Sequence, residues 1–449
     1  MIKKENKEFL KLILAIVIPV AMQNLIAMTL NMADTVMISH LGDATIAAVG
    51  LVNQFLYFFI VTIFGISSGS AIFMSQYYGK GDKDNLNKIY AIMMVIVIAI
   101  SLIFSIFASI FKAELLAILS PEIEVQFKAD IYLSIIIFTF VITGISFAIN
   151  STYRSIGDAK TPVKISIISF LTNIVLNYIL INGKIGFPVL GVAGAAYATL
   201  IARLLEFGLL FYMARKSEIF GFKIKYLKLV NISFIKRYSS VAFPVILAEA
   251  LWSLSQLLFA VIYARIGKQA TAAVHVTNTV QNVFYLFSNS LCAAASVIIG
   301  QLIGSYNRDK AIRYSRKFIK LAISIGIVSA LFLMFFPDYL LLLYRNLDRT
   351  LEMTSRRLLI IRGIFIGFRF VNAILIIGIF RGGGDSRLPL ILEMITIWLY
   401  AIPAALISTM ILNLPIEYVF TIVSMEEVIK MILILPRYFS KKWLRDITQ

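Results

Sequence analysis

Nine ionisable side chains interrupt the apolar stretches of this 449-residue chain. They are Asp34, Arg203, Glu206, Glu249, Arg369, Glu393, Glu426, Glu427 and Lys430. A charged side chain at the centre of a membrane helix costs about 2.5–3.5 kcal/mol on insertion scales. Residues that carry such a cost are candidates for binding or moving a charged species.

Helical spacing divides these residues into paired and unpaired groups. Arg203 with Glu206 and Glu426 with Lys430 are three and four residues apart, so each pair can meet on one helix face. We expect structural ion pairs there. The acids with no opposite charge at such a spacing are Asp34, Glu249 and Glu393. Because an unpaired carboxylate needs a cavity, a proton or a ligand, these three suit a proton or cation relay.

Four neutral polar residues share helix faces in the same way. Asn173 and Asn177 are four residues apart, and Tyr132 and Asn150 are eighteen apart, which is about five turns. Such side chains can bind a cation together, but they also hold membrane helices together at about 0.6 kcal/mol each. From the residues alone, packing is the simpler interpretation.

Several other residues allow two interpretations. Arg369 could neutralise Glu249 or Glu393, or it could extend to the outer interface. His275 suits a proton relay or a hydrogen-bonded structural role, the second being the commoner.

Flexible and aromatic side chains form a further group of candidates. Met28, Met32 and Trp252, with neighbouring aromatic residues, could line an adaptable pocket for flat ligands. Such residues also commonly face lipid or a neighbouring helix.

The composition places most of the chain in a membrane. It is 60% apolar and 15% charged, with a mean hydropathy of +0.88, whereas globular chains are about 45–50% apolar and about 25% charged. Apolar stretches of about 18 residues or more predict transmembrane helices. Twelve are predicted, at 10–37, 45–75, 89–111, 130–152, 163–183, 187–213, 240–264, 270–303, 318–342, 358–380, 388–412 and 417–437. The single cysteine, Cys292, excludes a disulfide framework and a thiolate metal site.

The net charge of +18 is explained by topology. With both termini in the cytoplasm, 29 of the 42 Lys and Arg lie on the inner side and 10 on the outer side, as the positive-inside rule requires. The arginine-rich outer segment 345–362 is the exception. The charge therefore indicates cytoplasmic loops beside a lipid bilayer, and no nucleic-acid partner.

The two halves of the chain repeat each other. At a shift of 225 residues, Gly42, Ala47, Ala48, Val49 and Asn53 match Gly267, Ala272, Ala273, Val274 and Asn278. The same shift relates Pro19 to Pro244, Gln76 to Gln301 and Gly79 to Gly304. A second block, 154–162, matches 381–389 at a shift of 227.

Six spans per repeat give both halves the same polarity, which is the parallel repeat typical of secondary transporters. We predict an N-terminal lobe at 1–213, a cytoplasmic connecting loop at 214–238 and a C-terminal lobe at 239–449. Pro19 and Pro244 lie inside the first span of each repeat, where a missing backbone hydrogen bond should bend or weaken the helix. Such bends are candidate gating points.

No sequence motif indicates an enzyme or an ATP-driven pump. A nucleophile elbow, a phosphate loop and a paired-histidine zinc motif are all absent from the sequence. We expect neither an enzyme nor a cofactor; a membrane-embedded receptor or enzyme is the remote alternative.

The motifs resemble those of the multidrug and toxic compound extrusion (MATE) family of cation-coupled antiporters. The residues that carry the resemblance are Pro19, 33–37, 42–48, 76–82, 153–158, 191–196 and 381–385. The resemblance implies an all-α membrane protein with twelve transmembrane helices in two pseudo-symmetric six-helix bundles around a cleft. It implies a monomer in the plasma (inner) membrane of a prokaryote that exports amphipathic, cationic small molecules in exchange for H⁺ or Na⁺ by alternating access.

The same resemblance implies a cation site in the N-terminal bundle. Asp34 would be the ion-binding carboxylate, with Na⁺ as a possible ligand, and the polar groups around it would be Tyr132, Asn150, Asn173 and Asn177. The position of Asn177 is often Asp in the family, so this site has one carboxylate fewer.

A second site in the C-terminal bundle has weaker correspondence. Glu249 resembles a span-seven acid of the family at a distance of about one helical turn. Asn372 stands where some relatives carry an acid, and Glu393 could substitute for it. The alternative function is a flippase for lipid-linked or other anionic amphipathic intermediates, for which Arg369 and the segment 345–362 would suit anionic headgroups.

Overall fold

The computed structural model describes residues 2–342, 344 and 348–448, so Arg345 of the arginine-rich segment lies outside the described residues. Within these ranges the chain is helical and has no β-strand. The helices are α1 (Ile2–Ile38), α2 (Asp43–Lys80), α3 (Lys83–Ile110), α4 (Lys112–Leu119), α5 (Ile123–Ile136), α6 (Thr139–Ser155), α7 (Lys160–Asn182), α8 (Val192–Lys216), α9 (Ile224–Lys228), α10 (Ile232–Ile266), α11 (Lys268–Gly304), α12 (Arg308–Phe335), α13 (Pro337–Leu341), α14 (Arg349–Ala373), α15 (Arg387–Met394), α16 (Ile402–Leu406), α17 (Ile416–Ser424) and α18 (Glu426–Phe439).

The structure confirms the all-α membrane fold but not the count of twelve spans. Among the described residues, ten helices are long and apolar enough to cross a membrane, and the bent pair α5 and α6 brings the number to eleven. The predicted twelfth span, 417–437, corresponds to α17 and α18, which are separated at Met425. Its interior carries Glu426, Glu427 and Lys430, which lower its hydropathy.

No proline lies at the 53° bend between α5 and α6. Side-chain hydroxyls bind the carbonyls that lose their helical partners: Thr139 Oγ1 donates to Ile136 O at 2.7 Å and Ser105 Oγ donates to Ile137 O at 3.3 Å. By contrast, α1 and α10 continue without a break through Pro19 and Pro244.

Two compact units make up the chain. Unit A comprises residues 18–74 and 82–238. In it α7 packs along α8. A Cβ on Gly194 would lie only 2.6 Å from the Leu180 carbonyl oxygen, so glycine is required where α8 begins against the end of α7.

Unit B comprises residues 1–17, 75–81 and 239–449. Within it the predicted repeat appears as a reciprocal contact. A Cβ on Gly79 would overlap the carbonyl oxygen of Gln301, and a Cβ on Gly304 would overlap that of Gln76. Gly79 of the first repeat therefore lies against Gln301 of the second, and Gly304 of the second lies against Gln76 of the first.

Unit B also contains three π-helical segments, Ile374–Phe380, Ile395–Ala401 and Ile407–Ile411. Such segments are rare and frequently mark functional sites. The first lies between Asn372 and Arg381, and the second begins two residues after Glu393. The helices are thus distorted where unit B carries its interior charges.

Candidate functional site

Asp34 and Asn177 form the centre of a polar cluster in unit A. Asn177 Nδ2 donates to Asp34 Oδ1 at 2.6 Å and to Asn173 Oδ1 at 2.9 Å. Both asparagines are almost fully buried: Asn173 is 1% exposed and Asn177 is 0% exposed. The four-residue spacing on α7 therefore places the two amides on one helix face, as predicted. The Asn177 amide of this face contacts the Asp34 carboxylate near the end of α1.

The cluster extends from α7 to α8 and α5. Asn173 Nδ2 donates to Thr199 Oγ1 at 3.4 Å. The buried Tyr132 side chain interacts with Thr199 and lies within the electrostatic range of Asp34. Thr199 was not among the predicted site residues, because a threonine in an apolar helix commonly bonds its own backbone and gives no distinct signal.

Arg203 acts electrostatically on both Asp34 and Tyr132. It is held by Glu206, whose Oε2 lies 2.8 Å from Arg203 Nη1. The predicted pairing of these two residues is confirmed. The cluster consequently contains one unpaired carboxylate and a neighbouring positive charge that is tied to its own partner.

Two amide oxygens of unit A are buried without a hydrogen-bond partner in the described part of the chain, Asn177 Oδ1 and Asn150 Oδ1. No hydrogen bond between described residues joins Asn150 to Asp34. The structure thus links Asp34, Asn173 and Asn177 directly and places Tyr132 beside them, with Asn150 separate. A carboxylate beside a free amide acceptor can be neutralised by a proton or by a cation.

In unit B, Glu427 is the partner of Arg369 and Asn372. Arg369 Nη1 lies 2.9 Å from Glu427 Oε1, and Asn372 Nδ2 donates to Glu427 Oε2 at 2.8 Å. Arg369 therefore neutralises neither Glu249 nor Glu393, but pairs with Glu427. Its partner lies 58 residues away on another helix, where sequence spacing gives no information.

Glu249 is also paired, contrary to expectation. Its Oε1 lies 2.7 Å from Arg381 Nη2, and both side chains are largely buried, 14% and 7% exposed. The expectation considered only charges at helical spacing, whereas Arg381 is 132 residues away. Glu249 therefore does not need a ligand to compensate its charge.

The remaining charges of the unit B interior follow the predicted pattern. Lys430 pairs with Glu426 as the spacing indicated. Glu393 has no ion-pair partner within the described ranges, and Lys430, Glu249, Arg381 and Glu426 all act on it electrostatically. It is the one predicted unpaired acid of unit B that stays unpaired.

Two arginines of the segment 345–362 form ion pairs at the protein surface. Arg356 lies 2.8 Å from Asp338 and Arg357 lies 3.1 Å from Glu417. Arg356, Arg357 and Arg369 therefore each have a carboxylate partner, which disfavours the anionic-headgroup carrier.

The other substrate candidates have varied surroundings. On α1, Met32 is 60% exposed and Met28 is half-buried. Trp252 packs against the core cluster that contains Phe259 and Phe420. His275 is exposed, and its ring makes no hydrogen bond to any described residue, so the structural role favoured for it does not fit.

The fold is an all-α membrane fold that solved MATE structures share. It matches a crystal structure described as MATE in the bent conformation with a TM-score of 0.88 and 19% identity, covering 96% of this chain and 95% of that one. It also matches a mutant of the Vibrio cholerae MATE transporter VcmN with a TM-score of 0.87 and 16% identity, covering 99% of both chains.

The chain belongs to the MatE family, whose sequence profile matches residues 19–179 and 244–407. The probable multidrug resistance protein NorM of Thermotoga maritima is 26% identical, over 90% of this chain and 87% of that protein. The probable multidrug resistance protein YoeA of Bacillus subtilis is 28% identical, over 82% and 80% respectively. Members of this family are transporters, not enzymes.

Proposed function

We propose that this protein is a secondary active multidrug antiporter that exports amphipathic, cationic compounds in exchange for protons by alternating access, with both termini in the cytoplasm. Family membership and the multidrug-resistance names of NorM and YoeA support the transport class. The charge asymmetry of the loops supports the orientation. The polar cluster around Asp34 supports the choice of coupling ion.

The hydrogen bond from Asn177 to Asp34 is the main support for a proton as the coupling ion. A sodium ion needs several oxygen ligands, yet Asn177 presents its N–H to the carboxylate. Arg203 adds a positive charge that opposes a second cation, and the site has only one carboxylate. A proton needs a single lone pair of Asp34 and removes the charge in place, so this donor set favours H⁺.

Substrate contacts are proposed for Met28, Met32 and Glu393. On α1, Met28 and Met32 precede Asp34 by six and two residues, so a substrate on these flexible side chains would lie near the coupling carboxylate. In unit B, Glu393 is the candidate acid for a cationic substrate because it alone has no ion pair among the predicted acids there.

Proteoliposomes with separately imposed gradients test the proposal. We expect a proton gradient to drive dye efflux and a sodium gradient at equal pH to leave it near the background. Asp34→Asn should abolish proton-driven efflux, whereas Asp43→Asn, an exposed acid at the start of α2, should retain it. Efflux by Asp34→Asn at the wild-type rate, or efflux driven by sodium alone, would refute the coupling assignment.

A further inference from the structure

The connecting loop between α8 and α10 is pinned to the start of α3. Asn87 Nδ2 donates to the Ile219 carbonyl oxygen at 3.1 Å, and the Gly221 N–H donates to Asn87 Oδ1 at 2.8 Å. Between these two contacts, Phe220 is 2% exposed, and its ring centre lies 5.2 Å from that of Tyr90. The backbone that carries the charged side chains of the loop is therefore held in place by unit A.

The loop carries many more cations than acids. Seven Lys and Arg are accompanied by one acid, Glu218. Six of the seven cations are exposed: Arg215, Lys216, Lys223, Lys225, Lys228 and Lys236. Among the described residues, the ion pairs of unit A all lie outside the loop. Even Glu218, which follows Arg215 by three residues, forms no ion pair with it. The positive charge of the loop is thus left uncompensated by the part of the chain that the structure describes.

Two of these cations line one cavity. It has a volume of about 140 Å³ and lies between the loop and α3. Arg215 and Lys223 line it, together with Glu218 and the hydroxyl-bearing Ser217 and Tyr226. Arginine and lysine side chains can only donate hydrogen bonds, so the cavity offers N–H groups to an oxyanion. Two cations and one acid leave a net charge of +1, which suits a singly charged phosphodiester group.

The cavity lies at the end of a membrane-spanning helix. Arg215 and Lys216 belong to the last turn of α8, which is long and apolar enough to cross a membrane. The Arg215 guanidinium carbon lies 4.9 Å from the centre of the Phe211 ring, and Lys216 Nζ lies 4.5 Å from the centre of the Tyr212 ring. Aromatic side chains at the end of a span are typical of the membrane interface. At that depth the phosphate groups of lipids are the neighbouring anions.

Large apolar side chains beside the cations favour a lipid over a soluble anion. Phe222 and Ile224 flank Lys223 and are 43% and 66% exposed, and Leu229 is 59% exposed. Apolar side chains interspersed with lysines suit the boundary between headgroups and acyl chains. A soluble anion would leave these apolar side chains in water, whereas a bound lipid covers them with its chains.

We propose that the connecting loop binds an anionic phospholipid that carries a single phosphodiester charge. Arg215 and Lys223 donate to the phosphate oxygens in the cavity, and Phe222 and Ile224 contact the acyl chains. The other lysines of the loop attract the surrounding anionic headgroups. The site includes no residue of the Asp34 cluster and does not depend on the proposed proton coupling.

Thermal unfolding of the purified full-length protein in a neutral detergent tests the site. Phosphatidylglycerol is compared with phosphatidylcholine of the same acyl chains at the same concentration. We expect phosphatidylglycerol to raise the unfolding temperature of the wild type by about 3–5 °C more, because a ligand that binds only the folded state stabilises it. Glycerophosphoglycerol, the same headgroup without chains, should leave the temperature unchanged. An equal rise with this soluble headgroup would overturn the assignment to a lipid.

Two variants and a matched control identify the residues. Arg215→Gln/Lys223→Gln should lose most of the difference between the two lipids. Lys223→Gln should lose about half of it, and this single variant decides the matter if the double variant does not fold. The control Lys160→Gln/Lys164→Gln removes two exposed cations at the start of α7 in the same unit, and it should keep the full difference.

Three results would overturn the proposal. The first is a wild type that responds equally to the two lipids. The second is a lipid difference that survives in both loop variants. The third is an equal loss in the loop variants and in the α7 control, which would show that phosphatidylglycerol responds to the overall charge of the protein and not to this cavity.

Discussion

Asn177 donates its amide N–H to Asp34 at 2.6 Å, across 143 residues of sequence. The same amide group also donates to Asn173, so its orientation is determined by two acceptors. We therefore expect the side chain at position 177 to influence which species Asp34 binds. An amide N–H occupies one lone pair of the carboxylate, whereas a second carboxylate would add negative charge and two more oxygen ligands.

Asn177→Asp should make the protein responsive to sodium. The variant places two carboxylates side by side, and a cation relieves their repulsion. We expect 100 mM NaCl in place of choline chloride to raise the unfolding temperature of the variant by about 3 °C or more, and that of the wild type by about 1 °C or less.

Asn182→Asp is the matched control for this test, because it adds the same charge at the C-terminal end of the same helix. It should behave as the wild type does. Equal sodium responses in the wild type and in Asn177→Asp would mean that position 177 does not select the ion.

The Glu249–Arg381 pair gives a prediction that separates a structural role from a coupling role. Glu249→Gln leaves the buried Arg381 without its carboxylate, which should cost about 3–5 kcal/mol of folding free energy. We expect a clearly lower unfolding temperature in detergent. Arg381→Gln should have a similar effect.

The double variant Glu249→Gln/Arg381→Gln should recover much of the loss, because neither charge is then left unpaired. If Glu249→Gln were as stable as the wild type but inactive in proton-driven efflux, Glu249 would be a coupling residue and its pair with Arg381 incidental.

Local periodicity predicted what lies along one helix. Hydropathy located the membrane helices, and four-residue spacing brought Asn173 and Asn177 to one face. Ion pairs between different helices could not be predicted in this way. Glu249, for example, pairs with Arg381 at a separation of 132 residues. Such a pairing depends on which helices pack together, and residue spacing along a single helix does not predict which helices those are. The bend at Ile137 was missed for a related reason: hydroxyls, not a proline, bind the released carbonyls.

The repeat relation between Gly79 and Gly304 was visible in the sequence, but its steric meaning was not. Gly79→Ala and Gly304→Ala should each lower stability by about 1–3 kcal/mol, because the added methyl group meets backbone that cannot rotate away. Gly208→Ala is the control, since a Cβ there has no atom within 4 Å. It should be neutral or stabilising, because alanine favours a helix by about 1 kcal/mol over glycine. Equal unfolding temperatures for all three variants would contradict the close approach.

Pro19 and Pro244 provide a test of the proposed gating bends. Each lies inside a continuous helix, α1 or α10, and withholds a backbone N–H there. Pro19→Ala and Pro244→Ala should therefore keep or raise the unfolding temperature and slow proton-driven dye efflux at least about fivefold if helix bending limits the cycle. Pro162→Ala should leave efflux unchanged, because Pro162 lies in the first turn of α7, where no helical hydrogen bond is lost. More stable proline variants with wild-type efflux would show that neither helix needs to bend during transport.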